Sequence, residues 1–255
     1  MKRLVFLLLL LLPGLAPAAA QQLPTAREFL PFVCAMENIR GTDCKVAKDY
    51  PNQATGEVCN LSVASSGLIG GRFISSAENL VLVPYGSDCE PRATGFGGAM
   101  LFEKQQRGYA FKGYYPGITT GGGECRVVAG GPRLRDKLIC LTSFMQGGYA
   151  EMSVAQMVFT QDFGNRMFIT VDPLITASSS EGALGTERVE CKRKYWFTAF
   201  DRLRAGPDAQ SVVLDVAMVP PDVIKRYCGI GVVEMTTRES ITKTFTLDIE
   251  SRRFR

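Results

Sequence analysis

The chain has 255 residues, with 29 lysines and arginines against 25 aspartates and glutamates, eight cysteines and no histidine. The missing histidine excludes Ser-His-Asp and Cys-His nucleophile systems, zinc sites with His ligands and the facial-triad iron site. A net charge of +4 is not the basic footprint of a nucleic-acid-binding protein, so we expect no nucleic-acid partner.

Residues 1–20 have the pattern of a secretory signal peptide. Lys2 and Arg3 form a basic start, an uncharged leucine-rich run follows, and small residues lead to Ala20. The alternative is a membrane anchor, but the apolar run is shorter than the ~20 residues that a spanning helix needs. We therefore expect cleavage after Ala20 and a periplasmic or secreted protein that does not span the membrane afterwards.

The even number of cysteines in an exported chain predicts disulfide bonds. The alternative is a metal site, but the chain has neither a C-x-x-C pair nor a histidine to complete one, so we expect no metal and no other cofactor. Cys125–Cys140 is predicted from a hairpin folded about residues 132 and 133, and Cys34–Cys44 from the short loop that it closes. The remaining pairs, Cys59–Cys89 and Cys191–Cys228, are predicted by elimination and proximity in sequence.

In chain order, residues 21–66 are predicted to be an irregular segment held by disulfides. Thr25 and Glu28 form a capping box before an apolar run, and Pro31 limits that helix to about one turn. Residues 67–255 form a β-rich domain, because short apolar runs alternate there with Gly and Pro turns, and a short helix is expected up to Arg226. The predicted strands are 72–74, 80–85, 99–103, 109–115, 149–159, 166–171, 190–200, 211–219, 231–236 and 241–249.

Residues 176–187 are the longest stretch of small polar residues and predict a flexible loop. The many short antiparallel strands favour an all-β, disulfide-stabilised fold resembling a β-sandwich or jelly roll. Three groups of four apolar runs can also be aligned, with their second runs at 80–83, 138–141 and 212–214. Because a propeller blade has four strands, a propeller-like set of four-stranded sheets is the alternative.

The densest candidate binding segment is 191–202. As a strand, it places Lys192, Lys194 and Trp196 on one face, where charge and aromatic stacking could hold an anionic glycan or lipid headgroup. In the alternative interpretation, Trp196 anchors the core and the basic residues form a solvated strand end.

A second aromatic group lies in the predicted strand 109–115. Strand alternation places Phe111 on the same face as Tyr109 and Tyr115, with Tyr114 on the opposite face. We interpret the first face as core and an outward Tyr114 as an ordinary surface residue.

The favoured function is that of a non-enzymatic binding or envelope-associated protein, whose partner is an envelope glycan or another protein. No catalytic residue is assigned. The alternative is a carboxylate-dependent glycan hydrolase, which would need two convergent carboxyls, one of them with a raised pKa. A third possibility is a structural subunit that assembles by edge-strand pairing. The carboxylate pairs considered are Asp88 with Glu90, Glu124 with Asp136, and Asp201 with Asp208.

Overall fold

The computed structural model describes residues 24–50, 58–63, 67–74, 79–89, 97–116, 118, 125–131, 133–146, 149–163, 166–179, 197–226 and 239–255. These residues form an all-β fold of antiparallel sheets with disulfide bonds, which confirms the predicted fold class. Several predictions fall outside the described residues: the signal peptide at 1–20, the strand at 231–236, the Cys191–Cys228 pair, and Lys192, Lys194 and Trp196.

The first sheet has seven strands, and its two short N-terminal strands extend one edge. The next two strands pair with different halves of the same long strand, so together they fill one strand position beside it. The sheet consists of β1 (Ile39–Arg40), β2 (Asp43–Cys44), β3 (Leu61–Val63), β4 (Ile69–Gly71), β5 (Leu80–Ser87), β6 (Gly98–Lys104) and β7 (Tyr109–Pro116).

The second and third sheets each have four strands, and neighbours in the sheet are consecutive in the chain. The second contains β8 (Cys125–Val128), β9 (Lys137–Gln146), β10 (Tyr149–Gln161) and β11 (Met167–Ser179). The third contains β12 (Phe197–Ala205), β13 (Ser211–Val219), β14 (Ile241–Asp248) and β15 (Arg253–Phe254). Strand β11 includes residues 176–179, so the first part of the predicted flexible loop is strand, and residues 180–187 lie outside the described part.

The second sheet packs between the other two, and its sequence explains why. Its strand β9 carries a continuous apolar run, which is typical of a strand buried on both faces. Leu138 and Cys140 pack against the first sheet, while Ile139 and Leu141 pack against the third. The fold therefore has face-to-face packing, as in a sandwich, and sheets of consecutive strands, as in the four-stranded alternative.

The N-terminal segment covers the outer face of the first sheet. A 3₁₀-helix, Ala26–Phe29, runs directly into α1 (Leu30–Val33), which has Pro31 in its first turn. Phe29, Leu30 and Val33 are buried there against the first sheet. Because this segment also contributes β1 to β3, the predicted boundary between residues 66 and 67 does not divide the first sheet into separate units.

The three disulfides within the described residues are the predicted ones. Cys34–Cys44 joins the N-terminal segment to β2, and Cys59–Cys89 ties the segment before β3 to the end of β5. Cys125 lies directly opposite Cys140 in the β8–β9 pairing, with Cα atoms 4.1 Å apart. The predicted hairpin register is therefore correct.

Two predictions about the first sheet need correction. A β-bulge in β7, opposite the step from Leu101 to Phe102, reverses the alternation after Phe111. Tyr114 consequently packs on the Phe111 face under the N-terminal segment, whereas Tyr115 packs on the opposite face.

Residues 72–74, predicted to be a strand, form a bend instead. The strand that pairs with β5 lies just before them in the chain and is β4. A Cβ on Gly71 would lie only 2.5 Å from the Phe73 ring. The Phe73 ring therefore folds back over Gly71, where a Cβ would force the ring to shift, and the chain leaves the sheet there.

Two α-helices occur among the described residues, α1 and α2 (Pro221–Arg226). The second confirms the predicted short helix up to Arg226. No helix in the described part of the chain is both long enough and apolar enough to cross a membrane.

Candidate functional site

The turns that follow alternate strands converge at one end of the stacked sheets, which we call the loop end. It contains the β4–β5, β6–β7, β8–β9, β10–β11, β12–β13 and β14–β15 turns, because alternate turns of a meander lie on the same side. The backbone N–H of Asp136, in the β8–β9 turn, donates to the carbonyl of Arg72 after β4, at 3.0 Å. The first and second sheets are therefore joined at this end.

Asp136 is the centre of that junction. Its side chain is 9% exposed and accepts hydrogen bonds from the Arg72 backbone N–H at 2.9 Å, the Arg72 guanidinium at 3.0 Å and the Gly130 N–H at 3.0 Å. Burial would raise the pKa of Asp136, but these hydrogen bonds and the Arg72 charge outweigh it, so the pKa lies below its ordinary value. The carboxylate stays ionised and holds the turn in place.

The glycines of the β8–β9 turn permit this arrangement. A Cβ on Gly130 would lie 2.0 Å from the carbonyl oxygen of Arg135, and Gly131 has a φ of +81°. The Gly131 carbonyl accepts a hydrogen bond from the Arg72 guanidinium at 2.9 Å. The turn therefore closes on itself and presents residues 133–135 at its tip.

A cavity of about 610 Å³ lies beside this tip, and we call it the basic cavity. Its walls come from the β8–β9 turn, strand β10, and the β12–β13 and β14–β15 turns, so the second and third sheets both contribute. Phe73 and Phe159 stack with their ring centroids 4.6 Å apart, and both rings are buried. They give the cavity an apolar floor.

The charges around the basic cavity are mostly positive. Arg133 and Arg135 are exposed and make no ion pair with any described residue. Lys137 lies 3.6 Å from Glu250, a pair that is largely open to water and therefore weak. The cavity thus offers two guanidinium groups that have no ion-pair partner among the described residues, above an apolar floor, which suits a ligand that is anionic on one side and apolar on the other.

A second cavity, of about 780 Å³, shares Asp136 but differs in charge. It lies between the start of the N-terminal helix and the first sheet. Glu28 there accepts hydrogen bonds from the Thr25 N–H at 2.9 Å and the Thr25 hydroxyl at 3.0 Å, which confirms the predicted capping box. Because Arg72 and Glu28 are already paired, this cavity is the weaker candidate for binding a charged ligand.

The predicted carboxylate pairs are not assembled into a catalytic site among the described residues. Asp88 accepts hydrogen bonds from the backbone and side chain of Asn60, beside the Cys59–Cys89 disulfide, and Asp136 holds the β8–β9 turn. The partners considered for them, Glu90 and Glu124, lie outside the described residues.

The carboxyls of the third sheet also carry no sign of a general acid. Asp201 is exposed at a β-bulge of β12, and Asp208 accepts a hydrogen bond from the Gln210 N–H at 3.0 Å. All carboxyl pKa shifts in the described part of the chain are downward, because these groups accept hydrogen bonds; they belong to Asp136, Asp208, Asp215 and Asp248.

No protein-family model matches this chain, and comparison with the curated proteins and with the solved structures found no match. The function must therefore be argued from the geometry.

The sequence predicts a binding site at Lys192, Lys194 and Trp196 and assigns the β8–β9 hairpin only a disulfide. A signal for the basic cavity was nonetheless present in the sequence, as the run Arg133-Leu-Arg135 at the tip of a predicted turn. A turn tip carrying two cations and a leucine is unusual, because exposed turns favour Gly, Asn, Asp and Ser. The turns from the third sheet that complete the cavity could not be recognised in this way.

Proposed function

We propose that this chain is an exported, disulfide-stabilised, non-enzymatic β protein that binds an anionic component of the cell envelope at the basic cavity. The predicted leader at residues 1–20 supports export. The three disulfide bonds also suggest an oxidising environment, where such bonds persist.

The observation that carries the binding role is the pair of exposed arginines at the cavity, neither of which forms an ion pair within the described part of the chain. Arg133 and Arg135 are exposed guanidinium groups on a turn whose position is fixed by Asp136. A guanidinium binds carboxylate, phosphate and sulfate groups through two parallel hydrogen bonds, so the pair can recognise anionic groups on a glycan or a lipid. A turn that is already held in place loses little conformational freedom on binding.

The hydrolase alternative lacks a favouring observation among the described residues. A general acid working near neutral pH needs a raised pKa, whereas the shifted carboxyl pKa values here are lowered. The Lys192–Trp196 segment stays a prediction. Because Trp196 is the only tryptophan, its fluorescence during ligand titration tests that segment directly.

The binding role is tested with dextran sulfate, a soluble polyanion, and with uncharged dextran as the matched sugar. We expect binding to dextran sulfate alone, and weakening of that binding as salt screens the charges. The double variant Arg133→Gln/Arg135→Gln should weaken it about tenfold, because two charge-assisted contacts are lost. Equal affinity of this variant and the native protein would contradict the proposed site.

The matched control is Lys225→Gln/Arg226→Gln. These two residues are exposed cations in the last turn of α2, at the end of the third sheet opposite the loop end. The control removes the same charge and should bind dextran sulfate as the native protein does. If both double variants lose affinity equally, net charge rather than the basic cavity governs binding.

Export is tested separately by mass spectrometry of the chain recovered from its producing cells. A mature N-terminus after Ala20 and the absence of free thiols would agree with the predicted leader and with the Cys191–Cys228 pair. A retained leader, or two titratable thiols in the unreduced protein, would contradict these predictions.

A further inference from the structure

Two hairpin turns of the second sheet lie side by side at the loop end. The four strands of this sheet are consecutive neighbours, so the β8–β9 and β10–β11 turns leave the sheet in the same direction. Neighbouring strands are about 4.8 Å apart, which places the two turns about 10 Å from each other. Both turns can therefore touch a single surface at once.

Each of these turns carries a large apolar side chain in water. Leu134 at the first turn is 67% exposed, and Phe163 at the second is fully exposed. Phe168, on β11 just after the second turn, is also largely exposed. Apolar groups on protruding turns, rimmed by polar residues, mark sites of interaction with a partner or a membrane.

Both turns carry exposed arginines, and in the second turn the Asp162 carboxylate offsets the charge of Arg166. Arg133 and Arg135 flank the exposed leucine, and Arg166 closes the second turn by donating its backbone N–H to the Asp162 carboxylate at 2.8 Å. The acidic group within the first turn, Asp136, is already bound to a buried hydrogen-bond network. The turns thus combine three exposed guanidinium groups with protruding apolar side chains.

We infer that Leu134 and Phe163 insert into the headgroup region of an anionic lipid surface, while Arg133, Arg135 and Arg166 bind the lipid phosphates. This inference rests on the proposed function and names its partner. Basic groups next to inserted apolar side chains are the usual basis of peripheral membrane binding, since charge attracts the protein and apolar burial retains it.

The shape of the patch favours lipid over the other partners. A soluble glycan would use the arginines but leave a protruding phenylalanine in water. A second copy of the chain would need a broader apolar face than two narrow turns provide. A lipid headgroup layer is deformable and admits separate side chains at separate points.

The experiment is sedimentation of the protein with lipid vesicles. We expect binding to vesicles that contain phosphatidylglycerol and little binding to pure phosphatidylcholine. Phe163→Ser should weaken vesicle binding about tenfold through lost apolar burial. Arg133→Gln/Arg135→Gln should weaken it about fivefold for each charge removed. Both changes lie at exposed positions, and circular dichroism of each variant checks that it is folded.

Dextran sulfate separates this inference from the proposed function, because Phe163→Ser should bind it as tightly as the native protein does. The matched control for vesicle binding is Met36→Ser, which changes a side chain that is 69% exposed in the N-terminal segment and should have no effect. Binding of dextran sulfate without binding of vesicles would overturn the lipid inference and leave the proposed function standing. Failure to bind either would refute both.

Two further outcomes would overturn the inference. One is equal vesicle binding by Phe163→Ser and the native protein, which would show that no insertion occurs. The other is a dimeric mass in solution that Phe163→Ser reduces to a monomeric mass, which would assign the patch to a second copy of the chain.

Discussion

Replacing Asp136 with alanine should destabilise the whole loop end. The carboxylate accepts hydrogen bonds from two backbone N–H groups and from the guanidinium of Arg72, and it is almost fully buried. The change leaves the backbone N–H groups of Arg72 and Gly130 without this acceptor, while the Arg72 guanidinium keeps its hydrogen bond to the Gly131 carbonyl. Because these groups join the first sheet to the second, the loss affects the free energy of unfolding of the fold as well as the turn.

The loss in free energy of unfolding depends on how far water can replace the Asp136 carboxylate as a partner of Arg72. Breaking a fully buried ion pair by removing one member costs about 3–5 kcal/mol. The side chain of Arg72 is 26% exposed and can be partly hydrated, which reduces the penalty. We therefore expect Asp136→Ala to lower the free energy of unfolding by about 2–3 kcal/mol. For a chain of this size, that corresponds to a melting temperature about 5–10 °C lower.

Asp172→Ala is the matched control, measured by thermal and urea unfolding with the disulfides intact. Asp172 also pairs with an arginine, Arg252, at 2.8 Å, but the two side chains are 41% and 49% exposed. An exposed pair of this kind contributes about 0–1 kcal/mol. If Asp136→Ala costs no more than Asp172→Ala, the argument that the junction depends on the buried carboxylate is wrong.

The pH dependence gives a second test of the same reasoning. The folded-state pKa of Asp136 lies below its ordinary value of 3.8, so its contribution is complete above that value and is lost as the pH falls through the folded-state pKa. The stability difference between the native protein and Asp136→Asn should be constant near neutral pH and should narrow on acidification below about pH 4. A difference that instead grows on acidification would refute the assignment.

Three further changes test the scaffold by thermal unfolding. Gly130→Ala should cost about 1–3 kcal/mol, since its Cβ would collide with the carbonyl of Arg135; a neutral result would contradict the turn geometry. Cys125→Ala/Cys140→Ala removes a cross-link that closes a loop of 15 residues and should cost about 3 kcal/mol; an unchanged melting temperature would count against it. Tyr114→Phe should cost about 1 kcal/mol, because the hydroxyl donates to a backbone carbonyl at 2.7 Å; a gain in stability would contradict this.

Much of the fold could be predicted because the strands bury their faces in simple patterns. The second runs of the three aligned groups, at 80–83, 138–141 and 212–214, lie in β5, β9 and β13, and β9 and β13 are each the second strand of a four-stranded sheet. Strand β13, Ser211–Val219, has the predicted bounds. Uninterrupted apolar runs predict two buried faces and alternating runs predict one, so the strands could be found without knowing their neighbours.

The errors arose where a local irregularity overrides alternation. Tyr114 and Tyr115 were assigned to the wrong faces because a bulge adds one residue to β7. Gly113 inside β7 is a sequence signal for such a bulge, but the residue that is left unpaired depends on the register with the neighbouring strand. The strand at 72–74 was misplaced for a related reason, because Arg72 leaves the sheet to bind Asp136, which is 64 residues away in sequence.

The position of the candidate site follows from the strand number of the sheets. A meander of four strands begins and ends on the same side, so the chain passes from sheet to sheet at one end and leaves the tight turns at the other. Strands β4 to β7 of the first sheet and the two four-stranded sheets form three such units in succession, which bring turns from 72–79, 133–136, 162–166 and 206–210 to a common end. An odd number of strands in the second sheet would move the turns of the third to the opposite side and open the basic cavity. The arginines and apolar tips of the second sheet can therefore act with the third sheet because the second sheet has an even number of strands.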